Sequence, residues 1–263
     1  MMKSVVAQTL SLAVIAMITI HADTRGDDVA SRFEAQTMPY GDGAKLPYRV
    51  LKPSKVDAGK KYPLLIFLHG AGERGDDNTR QLKYLPAWFS EAKMRDAFPC
   101  YFIAPQCPRD HRWGSLDWRK KMKRYTKEPV PEAAAVLAII NKAMKEYPID
   151  ASRVYLTGLS MGGYGTWELA SRHPDLFAAI APICGAGDPS KAKKLVDIPT
   201  WIWHGDKDGA VPVDRSREMV AAIKAAGGNP KYTELPGVGH NSWTPAYNNP
   251  DGVVQWLFKQ VKD

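Results

Sequence analysis

Cysteine is scarce, with three residues in 263, and the odd count leaves at least one thiol without a partner inside the chain. A local bridge between Cys100 and Cys107 is disfavoured by the expected geometry. An expected strand over 101–104 lies between them, and seven mostly extended residues cover roughly 20 Å, against the roughly 4.4–6.8 Å a disulfide tolerates between Cα atoms. Cys107 with Cys184 remains as a pairing. No His, Cys and carboxylate cluster has metal-ligand spacing, so neither a metal nor an organic cofactor is expected. Internal repeats and low-complexity tracts are absent. No recognised nucleic-acid-binding motif accompanies the net charge of +8, which disfavours a nucleic-acid partner.

Long apolar runs are also missing, apart from one at the start. Lys3 gives a positive opening, residues 5–20 are largely apolar, and Ala22 precedes the charged Asp23-Thr24-Arg25. That is the layout of a secretory signal peptide over residues 1–22. Its apolar part is slightly short of the roughly 20 residues of a membrane helix, and an uncleaved anchor is the alternative. The remainder, 23–263, is expected to be one exported catalytic domain, secreted or periplasmic, with no stable membrane insertion. The sequence does not specify an oligomeric state.

The remainder has enough apolar residues for a sizeable core, at 44% hydrophobic overall. Strands are expected over 33–38, 48–52, 64–68, 101–104, 154–157, 178–183, 200–203 and 231–235. Several are continuous apolar runs rather than alternating ones, as suits strands covered on both faces. Helical patterns over 132–147, 161–172, 214–226 and 252–261 fall between them, and Pro131 and Pro148 bracket the first. This alternation predicts an α/β architecture, a mostly parallel sheet with helices on both faces. Residues 109–127 carry eight Lys or Arg against two Asp and have no clear strand. They are expected to form an excursion over the sheet edge, either a solvated loop or a surface that attracts anionic polymers.

The chemistry concentrates at Val154-Tyr155-Leu156-Thr157-Gly158-Leu159-Ser160-Met161-Gly162-Gly163, a strand, then Gly-x-Ser-x-Gly, then a helix. A nucleophile elbow needs a tight turn that lifts the serine hydroxyl above the sheet, with glycines that leave room for neighbouring chain. A serine hydroxyl is a weak nucleophile near neutral pH and needs a general base. His240 follows the last expected strand at the carboxyl end of the sheet, where open α/β sheets carry their sites. The base needs an acid, which His204-Gly205-Asp206-Lys207-Asp208 supplies: Asp208 is favoured and Asp206 is its rival, though either can form a turn. His69-Gly70-Ala71-Gly72 closes another strand, so the amides of Ala71 and Met161 are the expected oxyanion donors. His69 and His204 are read as loop-shaping residues, His173 as a surface residue, and His111 as having no obvious partner. Trp113, with Trp118 beside it, and Trp243 are candidate walls of a substrate pocket. Glu73 and Arg74 either position substrate or pair with each other.

With these motifs in order the chain resembles the α/β-hydrolase superfamily over roughly residues 33–262. Within it the chain is similar to the secreted esterase branch near phospholipase/carboxylesterases, polyhydroxybutyrate-depolymerase-like and feruloyl-esterase-like proteins, often labelled predicted peptidases. The resemblance rests on His69-Gly70-Ala71-Gly72-Glu73-Arg74-Gly75, the Ser160 elbow, His204-Gly205-Asp206-Lys207-Asp208 and Gly239-His240. It implies Asp208 over Asp206 as the acid, and Ala71 and Met161 as the oxyanion donors. Dienelactone hydrolases share the scaffold but use cysteine at the elbow, so Ser160 argues against that activity. The function implied is hydrolysis of a small-molecule or polysaccharide-linked ester, of short acyl or aromatic type, through an acyl-enzyme. The absence of a large lid argues against a lipase for long-chain fats. A peptidase related to the prolyl-oligopeptidase group is the enzymatic rival, although 263 residues leave no room for its usual propeller. A non-catalytic envelope or polysaccharide-binding protein is disfavoured by the presence of all three triad residues.

Overall fold

The computed structural model describes residues 29–41, 43–120 and 122–262. The expected signal peptide lies outside them. Eight strands form one sheet in the order β1-β2-β4-β3-β5-β6-β7-β8. They are β1 Glu34–Tyr40, β2 Ala44–Leu51, β3 Tyr62–Leu68, β4 Tyr101–Pro105, β5 Ile149–Leu159, β6 Ala179–Ile183, β7 Trp201–Gly205 and β8 Lys231–Leu235. The β1/β2 and β2/β4 pairs are antiparallel, and all the others are parallel. Every residue of β3, β4, β6 and β7 is buried, which is why these strands read as unbroken apolar runs.

The helices divide between the two faces. On one lie α3 Pro131–Glu146, α4 Met161–Arg172 and α5 Asp214–Ala225, preceded in the chain by α1 Leu85–Phe89 and α2 Ala92–Ala97. Leu64, Ile66 and Leu68 of β3 point toward the first group and pack with Ile139 and Trp167. Leu65 and Phe67 point the other way, to Phe89, and to α6 Trp243–Asn248 and α7 Val253–Leu257 through Tyr247 and Leu257. Alternation along one strand thus feeds two cores, the side-chain period of two at work. The helices α1, α2 and α6 escape a reading by periodicity because one or two turns hold too few residues to show a 3.6-residue repeat.

Four expectations are corrected, the first three on the path and contacts of the chain and the last on its cysteines. The last helix stops at Leu257 instead of continuing to 261. Beyond it the chain is held to β5: the Tyr155 hydroxyl donates to the Gln260 carbonyl (2.7 Å) and the Lys262 amide to the Ser152 carbonyl (2.9 Å). The basic segment 109–127 does not run over the sheet edge. It leaves β4, an interior strand, and crosses α4 toward α5. Its anchor is Glu168 of α4, fully buried, which accepts the Ser115 amide (2.5 Å), the Ser115 hydroxyl (2.8 Å) and the Arg172 guanidinium (2.8 Å). Arg172 in turn donates to the carbonyls of Thr126 (2.8 Å) and Lys127 (3.0 Å), and Arg124 pairs with Asp188 (2.9 Å). Three of the segment's own cations, Arg112, Lys123 and Arg124, are paired, with Asp117, Glu218 and Asp188. His111, expected to lack a partner, meets Glu132 at 2.6 Å.

All three cysteines are buried and free, so the Cys107–Cys184 pairing is not made. Cys107 instead donates its backbone amide to His69 Nε2 (2.9 Å), and Cys184 ends β6 beside the site described below.

Replacing Glu168 with alanine strands the Arg172 charge and the Ser115 amide in a buried setting. Removing one partner of a buried ion pair costs about 3 kcal/mol or more, which corresponds to a fall in Tm of roughly 6–12 °C for a chain of this size. Calorimetry on Glu168→Ala checks this, and an unchanged Tm contradicts the anchoring role.

Candidate active site

The site forms where β3 and β5 end side by side. Their parallel register pairs Leu68 with Gly158, so the loop after β3 and the turn after β5 emerge together at the carboxyl edge. Ser160 sits in that turn with φ 52° and ψ −117°, a conformation that a side-chain-bearing residue adopts only when its surroundings compel it. The surroundings here are close-packed backbone. A Cβ on Gly162 would stand 1.9 Å from the Leu68 carbonyl oxygen, and one on Gly158 would stand 2.5 Å from the Gly162 carbonyl oxygen. Glycine at both positions lets α4 start hard against β3. The Ser160 amide is tied to the Ile183 carbonyl (2.9 Å) and its carbonyl to the Tyr164 amide (3.1 Å).

His240 comes to Ser160 from the loop after β8. Its Nε2 lies 2.9 Å from Ser160 Oγ, and its Nδ1 lies 2.7 Å from Asp208 Oδ2. An ionised carboxylate only accepts, so Nδ1 carries the hydrogen and Nε2 offers its lone pair to the serine hydroxyl. This alignment can take a proton from Ser160 and return it to a leaving group. Asp206 is elsewhere: its carboxylate caps the turn at Gly237, accepting that amide at 2.7 Å.

Asp208 is fully buried at its side chain and accepts four donors. Oδ1 takes the amides of Ala210 (2.8 Å) and Val211 (2.9 Å), and Oδ2 takes His240 together with His204 Nε2 (3.1 Å). Burial alone would raise its pKa, but these hydrogen bonds outweigh it and hold the carboxyl well below the usual carboxylate range. His204 is itself buried. Its Nε2 faces two acceptors, Asp208 and the Val211 carbonyl (3.0 Å), so that nitrogen donates, while Nδ1 lies 2.7 Å from the Ser216 hydroxyl on α5. The sequence reading gave His204 only a loop-shaping part, and its contact with Asp208 was missed. The signal was present, since the residue precedes Gly205 in the same short stretch as the acid.

For His240, burial alone would lower the pKa. The Asp208 hydrogen bond and charge, with a contribution from the neighbouring Cys184 thiol, reverse this and raise it. His69 goes the other way, pushed down to about 4 by complete burial. It stays neutral, its Nδ1 2.6 Å from the Gly70 carbonyl oxygen and its Nε2 holding the Cys107 amide, and so it shapes the loop that carries Ala71. Among the described residues, Cys184, Asp208 and His240 also bring three possible metal-ligand atoms within 4.8 Å of one another. Asp208 and His240 already spend those atoms on each other.

A cavity of about 390 Å³ opens over Ser160 and His240, and both Ala71 and Met161 line it. Met161 is the first residue of α4, so its amide belongs to the positive end of that helix. Trp243 is a wall of the cavity, edge-on to His240 with ring centroids 5.4 Å apart. Trp113 is not. It is 0% exposed and donates its indole N–H to the His69 carbonyl (3.1 Å), where it packs beneath the loop. Trp118 from the same segment lines the cavity in its place, together with Tyr84, which had no expected role, and Glu73, whose role was left open. Tyr84 has φ 61° and stacks edge-on against Trp243 at 5.5 Å, so another strained residue borders the cavity.

This sheet, with its serine turn at the end of a central strand, defines an α/β-hydrolase fold. The chain belongs to the phospholipase/carboxylesterase family, whose model matches residues 54–248. A solved thermostable esterase superposes with a TM-score of 0.82 at 40% identity, over 89% of this chain and 64% of that one. Poly(3-hydroxyalkanoate) depolymerase C of Paucimonas lemoignei is 43% identical over 47% of this chain and 31% of its own length. An uncharacterized secreted protein of Arthroderma benhamiae is 26% identical over 75% of this chain and 24% of its own. The chain thus spans less than a third of these two relatives.

The hydrogen-bond chain around Asp208 is open to direct measurement. NMR titration is expected to place His240 above the roughly 6.5 of an unperturbed histidine. Asp208→Asn should bring it down, because the amide carries no charge to favour the imidazolium. His204→Phe removes one donor from Asp208, leaves more of its charge for His240, and should raise the His240 pKa further. A downward shift in His204→Phe contradicts the shared-acceptor geometry.

Proposed function

We propose that Ser160, His240 and Asp208 act as a catalytic triad, and that the protein hydrolyses carboxylic esters through an acyl-enzyme on Ser160. The observation that carries this reading is the unbroken series of contacts from Asp208 through His240 to Ser160, at 2.7 and 2.9 Å, on the floor of a cavity. Ser160 attacks the ester carbonyl while His240 accepts its proton. The carbonyl oxygen, now negative, rests on the amides of Ala71 and Met161, where donors of this kind contribute about 3 kcal/mol each in the transition state. His240 then protonates the departing alcohol, and a water activated by the same histidine releases the acid.

The substrates are short acyl or aromatic esters, including those borne by polysaccharides, with no nucleic acid involved. A cavity walled by Tyr84, Trp118 and Trp243 suits a flat aromatic or sugar ring. Esterase and depolymerase relatives support cleavage of carboxylic esters. Residues 23–263 form the single catalytic domain, exported to the periplasm or beyond after removal of 1–22. Two observations accord with that: a relative is a secreted protein, and no helix among the described residues is long and apolar enough to cross a membrane.

Purified protein is expected to hydrolyse p-nitrophenyl acetate, with kcat/KM rising with pH as His240 loses its proton and a limb above the roughly 6.5 of an ordinary histidine. Ser160→Ala should lower kcat by about 10⁴-fold or more. A parent with no activity, or a Ser160→Ala variant equal to it, overturns the proposal.

A further inference from the structure

The triad and its oxyanion loop leave one carboxyl among the described residues lining the cavity without a task. Glu73 follows Ala71-Gly72 and was expected either to pair with Arg74 or to meet substrate. The pairing is not made. Arg74 spends its guanidinium on carbonyl oxygens, Nε to Ala71 (2.9 Å) and Nη1 to His111 (3.3 Å). Among the described residues Glu73 has no ion-pair partner, and the donors that reach its carboxyl are its own amide and that of Gly70. The residue is 7% exposed, yet it lines the same cavity as Ser160 and His240. Gly70 leaves the room it occupies: a Cβ added there would stand 3.2 Å from Glu73 Oε2 and 2.8 Å from the Leu159 side chain. The carboxyl therefore sits beside the oxyanion loop and next to the residue preceding Ser160.

A carboxyl buried against apolar walls is costly unless something in the site uses it. Burial pushes its pKa up from the ordinary range, against the opposing pull of the Lys83 charge and the two backbone amides, and among the described residues no second carboxylate lines the cavity to share a cation with it. A neutral hydroxyl fits better. It can donate to an ionised Glu73 and can accept from a protonated one.

We propose that Glu73 is a specificity residue that hydrogen-bonds a hydroxyl carried by the substrate within a few atoms of the scissile ester. This rests on the ester-hydrolase reading above and narrows it to hydroxylated esters, as sugar esters are. An alkyl chain in the same place leaves the carboxyl desolvated with only its two backbone amide donors, and sites that hydrogen-bond a substrate hydroxyl discriminate strongly against analogues without one.

The test uses matched ester pairs followed by acid release in a pH-stat. Methyl 2-hydroxybutyrate against methyl butyrate places the hydroxyl on the acyl half, and 2-hydroxyethyl butyrate against propyl butyrate places it on the alcohol half. The full-length protein is expected to favour the hydroxylated member of at least one pair by roughly tenfold or more in kcat/KM. Glu73→Leu should abolish that preference while melting no lower than the parent, with Glu73→Ala as the substitute should leucine not fold. Glu73→Gln should retain it, because the amide oxygen accepts the same hydrogen bond. Equal rates within both pairs, or a preference that survives in Glu73→Leu, overturn the assignment. A stronger preference for methyl 2-aminobutyrate than for its hydroxy counterpart overturns it too, by showing a cation site. Failure to cleave p-nitrophenyl acetate as well would instead overturn the ester reading and take this inference with it.

Discussion

The approach of α4 to β3 is the constraint on which the site depends. Gly162 lies so close to the Leu68 carbonyl oxygen that a single added carbon would collide with backbone. That contact fixes where α4 begins, and with it the conformation of Ser160 two residues earlier. The register of β3 on β5 then brings the Ala71 loop level with the serine. Strain at Ser160 is held in place by packing on all sides, including the tie of its amide to β6. Rigidity of this kind keeps the hydroxyl and the two amides proposed to bind the oxyanion in one geometry before substrate arrives, which on the proposed mechanism leaves little reorganisation for the reaction itself.

A second constraint governs the proton path. Asp208 accepts two backbone amides and two imidazoles, which fixes both its oxygens in space. One imidazole, His204, is anchored on α5 through Ser216, and the other reaches Ser160. The acid is thereby tied to the helical layer on one side of the sheet, while Trp243 holds His240 from the start of α6 on the other. Both layers are needed to close the chain of contacts. The basic segment adds to the same arrangement. Anchored by Glu168 and Arg172, it crosses α4 and delivers Trp118 to the cavity rim, with Trp113 buried underneath.

Most of the framework was legible because its signals are local. Strands buried on both faces show as apolar runs, and Gly158, Ser160 and Gly162 mark the elbow within five residues. Asp208 was favoured over Asp206 on the residues and again by resemblance, although two aspartates in one turn look alike until their partners are known. The structure separates them by what they touch, His240 in one case and the Gly237 amide in the other. Trp113 was misplaced for a comparable reason. Two tryptophans five residues apart on an irregular segment carry no periodicity to say which one turns inward. The cavity-lining parts of Glu73 and Tyr84 depend on distances between segments far apart in the chain or on an unusual backbone angle, and no spacing rule reports those, whereas the His204 contact spans only four residues and was open to a local reading. The helices α1, α2 and α6 were too short to show a period.

The account turns on Ser160 being a nucleophile activated by His240, and covalent labelling tests that without any assumption about substrate. Incubation with a fluorophosphonate, followed by peptide mass spectrometry, is expected to place a single adduct on Ser160, with labelling strongly slowed in His240→Ala. An unlabelled Ser160 in folded protein, or labelling that proceeds equally fast without His240, would contradict it.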